Sequence, residues 1–130
     1  MKILVGYDSS KVSQNVIDYT LKYAKAFGAT VHVALSMTKG DEDETKNIAA
    51  AEDALAYAKD FFAKNEVPCE THLLIRGLSP GEDLVKFAQE QEIDTIMVGV
   101  QRVSRVSKLV MGSTAQYVIL KAKCPVVSIK

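Results

Sequence analysis

No aspartate or glutamate follows Asp94, although the chain as a whole is neutral, with 16 basic and 16 acidic residues in 130. That balance argues against a general polyanion binder, so any anion site has to be local. Long apolar runs are also missing. The opening MKILVGYD is too short for a signal peptide or a membrane span, which predicts a cytoplasmic protein with no membrane partner. Cysteine is scarce. Cys69 and Cys124 stand far apart without CxxC spacing and read as small buried hydrophobes, not a disulfide or a metal pair.

Several motifs are absent as well. No G-x-x-x-x-G-K-[ST] occurs, which excludes a P-loop NTPase, and no G-x-G-x-x-G follows the first strand, which disfavours dinucleotide binding. A phospho-acceptor signalling domain would carry an acid at the end of the third strand, where Arg76-Gly77 stands. No nucleophile, base and orienting acid form a recognisable set, so the expectation is binding without catalysis. His32 and His72 fall inside predicted strands with no obvious cluster around them. They are read as packing or surface residues, and no metal site is expected.

What is present is a regular alternation. Lys2 to Tyr7 predicts a first strand, with Ile3, Leu4 and Val5 consecutive as in a strand covered on both faces. Asp8-Ser9-Ser10 offers N-caps for a helix whose face carries Val12, Val16, Ile17, Leu21, Ala24 and Phe27, with Gly28 as its C-cap. Thr30 to Ser36 alternates as a second strand. Lys39-Gly40-Asp41-Glu42-Asp43-Glu44 is a polar loop feeding negative charge into a helix of about Thr45 to Asn65. It lacks EF-hand spacing, so calcium is not favoured. Thr71, Leu73 and Ile75 begin a third strand. Ser79-Pro80-Gly81-Glu82 reads as a capping box opening a third helix, with Leu84, Val85 and Ala88 facing the core. Ile96, Met97 and Val98 form a fourth strand that breaks at Gly99. After a serine-rich basic segment, a last helix places Ala115, Val118, Ile119 and Ala122 in one stripe, and Val126 to Ile129 closes the chain as a short strand. This β-α order, four times repeated before a final β, predicts one domain over 1–130: a five-stranded parallel sheet with helices on both faces.

The stretch from Asp94 to Thr114 carries the strongest functional signal. The acid-free tail holds Arg102, Arg105, Lys108, Lys121, Lys123 and Lys130, and its last helix opens on Gly112-Ser113-Thr114. Unpaired N–H groups and the positive end of the helix macrodipole favour an anion there. In an open parallel sheet ligands sit at the carboxyl ends of the strands. If the first and fourth strands are neighbours, Asp8 meets a sugar hydroxyl or a metal in the same crevice while Gly112, Ser113 and Thr114 take phosphate. The alternative is that Asp8 and Ser113 are plain helix caps and the arginines a solvated face. Tyr7 either stacks on a base or packs. A nucleic-acid partner is not expected, since no aromatic residues flank the basic loop.

With Asp8 after the first strand, the Gly77-x-x-Pro80 turn and the Gly99…Gly112-Ser113 spacing, the chain resembles the universal stress protein (UspA) family over its whole length. Nucleotide-binding members carry G-x2-G-x9-G-[ST]. Gly99 and Gly112-Ser113 match it, and Arg102 stands at the middle glycine. The resemblance implies a doubly wound sheet of order 3-2-1-4-5 and ATP in the crevice, with or without Mg2+. Gly6, Tyr7 and Asp8 would approach adenine and ribose, and Ser36 would offer its backbone to the base. Gly99 would allow close approach, and Gly112, Ser113 and Thr114 would hold phosphates. Arg102 either holds phosphate through its planar fork or closes the site, in which case the protein is a nucleotide-free interaction module whose basic loop could be phosphorylated at Ser104 or Ser107. The resemblance also implies a homodimer through the last strand, Val126, Val127, Ser128 and Ile129, whose edge is otherwise an exposed template.

Overall fold

A computed structural model describes residues 1–7, 14–37, 44–100 and 112–130. Asp8, Ser9, Ser10, Val12, the acidic loop 38–43, Arg102, Ser104, Arg105, Ser107 and Lys108 lie outside the described residues, as does the Tyr7 side chain. The elements run β1 (Lys2–Tyr7), α1 (Gln14–Phe27), β2 (Thr30–Ser36), α2 (Glu44–Lys64), β3 (Cys69–Leu74), α3 (Pro80–Glu90), β4 (Thr95–Gly99), α4 (Ser113–Lys121) and β5 (Val126–Ile129). The sheet is wholly parallel, in the order β3-β2-β1-β4-β5. The fold class and strand order expected from the sequence are those observed.

β1 is central. It pairs Val5 with Val33 of β2 on one side and with Met97 of β4 on the other. Its Ile3, Leu4 and Val5 are buried because helices cover both faces. Ile3, Val5, Val31, Val33 and Met97 pack under α1 and α2 with Val16, Ala51, Leu55 and Phe62. Leu4, Ala34, Ile96 and Val98 pack on the other face against Leu84 and Phe87 of α3 and Val118 of α4. Lys2 is tied to Asp94 at the start of β4: its N–H donates to the carboxylate at 2.8 Å, and Asp94 N–H donates to the Lys2 carbonyl at 2.9 Å.

Four local readings change. In α1 the buried face is Val16, Ile17, Thr20 and Ala24. Phe27 is 57% exposed, and the Thr20 hydroxyl is accommodated by donating to the Val16 carbonyl at 2.7 Å. In α4 Ala115 and Val118 are buried but Ile119 is exposed, because Tyr117 turns to the core in its place. The capping box of α3 also differs. Ser79 is the N-cap, extended at φ −64°, with Pro80 following, yet its hydroxyl donates to the Glu82 carboxylate at 2.8 Å and makes no cap bond to the backbone. Finally, both cysteines are free and half-buried. Burial raises the pKa of each thiol, pushing Cys69 to about 11. Gly28, by contrast, closes α1 as expected, at a φ of +62° that disfavours any side chain.

Candidate functional site at the carboxyl edge of the sheet

A parallel sheet ends all its strands on one side, and the helices that run back against it begin on that side. Gly6 and Tyr7 close β1, Ser36 closes β2 and Gly99 closes β4. Tyr7 and Gly99 each stand two residues beyond Val5–Met97, the last pair of the β1–β4 ladder, so both lie past its carboxyl end. Gly112 is the N-cap of α4, extended at φ −60° and ψ 157°, and Ser113 and Thr114 form its first turn. The fold thus brings Gly6, Tyr7, Ser36, Gly99, Gly112, Ser113 and Thr114 to one edge. Asp8 and Arg102 follow β1 and β4 by one and three residues.

The glycines separate by what surrounds them. A Cβ on Gly6 would lie 2.7 Å from Leu84 Cδ1, so Gly6 is small because α3 packs onto β1 there. A Cβ on Gly99 would meet Val16 Cγ2 at 3.1 Å. Gly112 differs: its φ is ordinary, and among the described residues nothing lies within 4 Å of a Cβ built on it. Among the described residues neither packing nor backbone conformation there requires glycine, and the first-turn amides have no partner within the helix. No acidic residue lies in the first turn of α4, and its last turn carries Lys121.

Ser36 has a different task from the others. It is buried, and its hydroxyl donates to Asp83 Oδ2 at 2.8 Å. Asp83 is itself fully buried and accepts from Arg76 Nε at 2.6 Å. Arg76 also donates to the Asp83 carbonyl at 3.2 Å and to Glu90 at 2.6 Å. Burial opposes the charge on Arg76. Its hydrogen bonds to Glu90 and Asp83 more than offset that, so its pKa is raised. This chain of contacts fixes the end of β2, the turn at Gly77 (φ +74°) and the start of α3 to one another. It commits the Ser36 hydroxyl proton to Asp83. Sequence reasoning passed over Asp83. The signal was an acid beside Leu84 on the core side of α3, with an arginine seven residues before it.

A second cluster lies away from this edge. His32 Nδ1 is 3.1 Å from His72 Nε2 and 3.4 Å from Glu70 Oε2. The rings are stacked, 5.3 Å apart, and His72 lies 4.7 Å from the Phe87 ring. Burial lowers the pKa of both histidines. Glu70 acts against that at each, while Lys2 adds to it at His32 and His32 adds to it at His72. The reading of these histidines as unclustered is therefore corrected: strand register brings Glu70 to both.

The universal stress protein family model matches residues 1–130. A universal stress protein of Methanocaldococcus jannaschii is 26% identical over 99% of this chain and 81% of its own length. One of Thermus aquaticus is 28% identical over 98% and 97%. Among solved structures, a universal stress protein of Archaeoglobus fulgidus is 35% identical with a TM-score of 0.89, covering 100% of this chain and 98% of that one. An Archaeoglobus fulgidus universal stress protein in complex with dAMP is 34% identical with a TM-score of 0.81, at the same coverage. With sequence match, strand order and fold in agreement from end to end, the chain belongs to the universal stress protein family.

Proposed function

We propose that this protein is a regulatory, non-enzymatic stress-response protein that binds an adenine nucleotide, ATP with or without Mg2+, at the carboxyl edge of the sheet. The observation that carries it is the start of α4: first-turn amides without an intrahelical partner, a glycine that neither packing nor conformation demands among the described residues, and a helix dipole met by no acid of its own. The relative in complex with dAMP supports the same ligand class. In this reading Ser113, Thr114 and the Gly112 backbone take phosphate. Gly6, Tyr7 and Asp8 face adenine and ribose, and Ser36 offers backbone. Gly99 leaves room beside β1, and Arg102 is the phosphate clamp. The protein acts as a homodimer through the outer edge of β5, the end strand of the sheet, and sedimentation of a single-chain mass would remove that part.

The test is mass spectrometry of small molecules released from the purified protein, with thermal denaturation against ATP, ADP, AMP and dAMP. The expected result is a bound adenine nucleotide, or stabilisation of about 2–3 kcal/mol at a hundredfold excess over the dissociation constant. Asp8→Ala and Ser113→Ala should each weaken binding. Arg102→Gly should weaken it if the guanidinium is the clamp and strengthen it if the guanidinium blocks the site. No nucleotide and no stabilisation by any of the four would sink the reading, leaving a dimeric interaction module.

A further inference from the structure

The cluster of His32, Glu70 and His72 sits on the α3 face of the sheet, toward the amino ends of β2 and β3 and away from the crevice. It is built by register. His32 of β2 pairs with Glu70 of β3, and His72 stands one same-face step further along β3, opposite Ala34. Paired residues of parallel strands project to one side, so all three side chains meet. Ala34 is small, and the place beside it is taken by the His72 ring. Phe87 backs that ring from α3, and the stack of His32 on His72, tilted by 15°, holds both imidazoles in one orientation.

The donor geometry is specific. Two donors each about 2.0–2.1 Å from a tetrahedral zinc ion are separated by about 3.3 Å. The His32–His72 and His32–Glu70 separations are 3.1 and 3.4 Å, and all three donor atoms lie within 4.8 Å of one another. His32 Nδ1 is therefore the shared corner of an almost formed coordination triangle. A hydrogen-bonded histidine pair alone needs only the first of these distances. Here a carboxylate converges on the same nitrogen, and its side chain is 64% exposed, on the open side from which an ion would enter. Lys2, on the adjoining strand, has its ammonium donating to the Gln91 carbonyl at 3.0 Å.

We propose that His32, His72 and Glu70 bind a divalent first-row transition ion, zinc being the best match, with the fourth position left to water. Two imidazole nitrogens and one carboxylate suit Zn2+ and its neighbours, whereas Mg2+ and Ca2+ prefer oxygen donors throughout. On binding, the ring that carries the shared proton on its facing nitrogen moves it to its other nitrogen through water. Each imidazole stays neutral, each facing nitrogen gives its lone pair to the ion, and no electron is transferred. The ion then joins the edge strand β3 to β2 through side chains as well as through the backbone ladder. This inference is independent of the nucleotide reading.

The test uses the untagged full chain, titrated with Co2+ and followed by visible absorption, then competed with Zn2+. Nitrogen-15 NMR of the imidazoles is recorded alongside. One Co2+ per chain with the strong visible bands of tetrahedral coordination is expected, displaced by Zn2+. Glu70→Gln lies at the surface and leaves the packing of the two rings untouched. It should lower the affinity at least about tenfold, the lower end of what lost support costs a metal site. His72→Gln should lower it further. Zinc should move the resonances of His32 Nδ1 and His72 Nε2 most. Failure to take up Co2+ or Zn2+ at a hundredfold molar excess would overturn the proposal. So would equal affinity in Glu70→Gln, or uptake that leaves both facing nitrogens unmoved.

Discussion

α3 and α4 begin at the same edge of the sheet, lie on the same face and start in nearly the same backbone shape. Their N-caps, Ser79 and Gly112, are both extended, at ψ 152° and 157°. They touch at Gly81, where a Cβ would lie 2.8 Å from that of Tyr117. Yet α3 carries Glu82 and Asp83 in its first turn, with Ser79 hydrogen-bonded to the one and Ser36 and Arg76 to the other. α4 carries no acid there. One helix start is neutralised from within the chain and is structural. Its neighbour has no acid of its own to meet its positive end, the feature on which the proposed anion site rests. The two starts differ in the charge that meets the dipole and not in helix geometry.

The largest effect should come from breaking the closed start. Asp83→Ala strands the buried Ser36 hydroxyl and removes the inner partner of Arg76. It should cost about 2–4 kcal/mol in urea denaturation, reduced from a fully buried pair because Arg76 keeps Glu90. A loss below about 0.5 kcal/mol would mean that the network is incidental. Next is making the open start resemble the closed one. Ser113→Asp gives α4 its own acid. It should raise stability by about 0.3–1 kcal/mol while lowering nucleotide affinity at least about tenfold, since carboxylate and phosphate compete for the same amides. Unchanged nucleotide affinity would separate the phosphates from α4. The smallest effect belongs to Glu82→Gln, about 0.3–1 kcal/mol of stability and no change in nucleotide binding, read by thermal denaturation with and without ligand. A change in nucleotide affinity there would show that the two starts are coupled.

The layering of the fold was legible because it rests on local pattern: Ile3-Leu4-Val5 and Ile96-Met97-Val98 are uninterrupted, as strands buried on both faces must be, and the helices between them are periodic. Side-chain partners were less legible, for two physical reasons. Contacts set by register between distant strands leave no trace in spacing. His32 and Glu70 are 38 positions apart and meet only because β2 and β3 pair in one particular alignment. The other reason is competition for a group that has several possible partners. Ser79 and Glu82 fit a capping box, but the hydroxyl found the carboxylate itself. Gly6 fits a ligand approach, and packing of Leu84 against it gives it a second reason to be small. At the carboxyl edge the sequence pattern and the fold place the same residues together, and the glycines there differ in what surrounds them among the described residues.

The central place of β1 has a consequence for how the chain comes together. It precedes the other four strands in chain order, and β2, the next of them, can pair with one side of it early. Its other side pairs with Ile96 and Met97, and the Lys2–Asp94 clamp sits at the foot of that pairing. Until then the middle of the sheet is an open, apolar edge, and closing it requires the longest loop between any two paired strands in the molecule. Substitutions in Thr95–Gly99 should therefore weigh more on the yield of folded protein than on the stability of what has folded, because that short strand is what covers β1 at last.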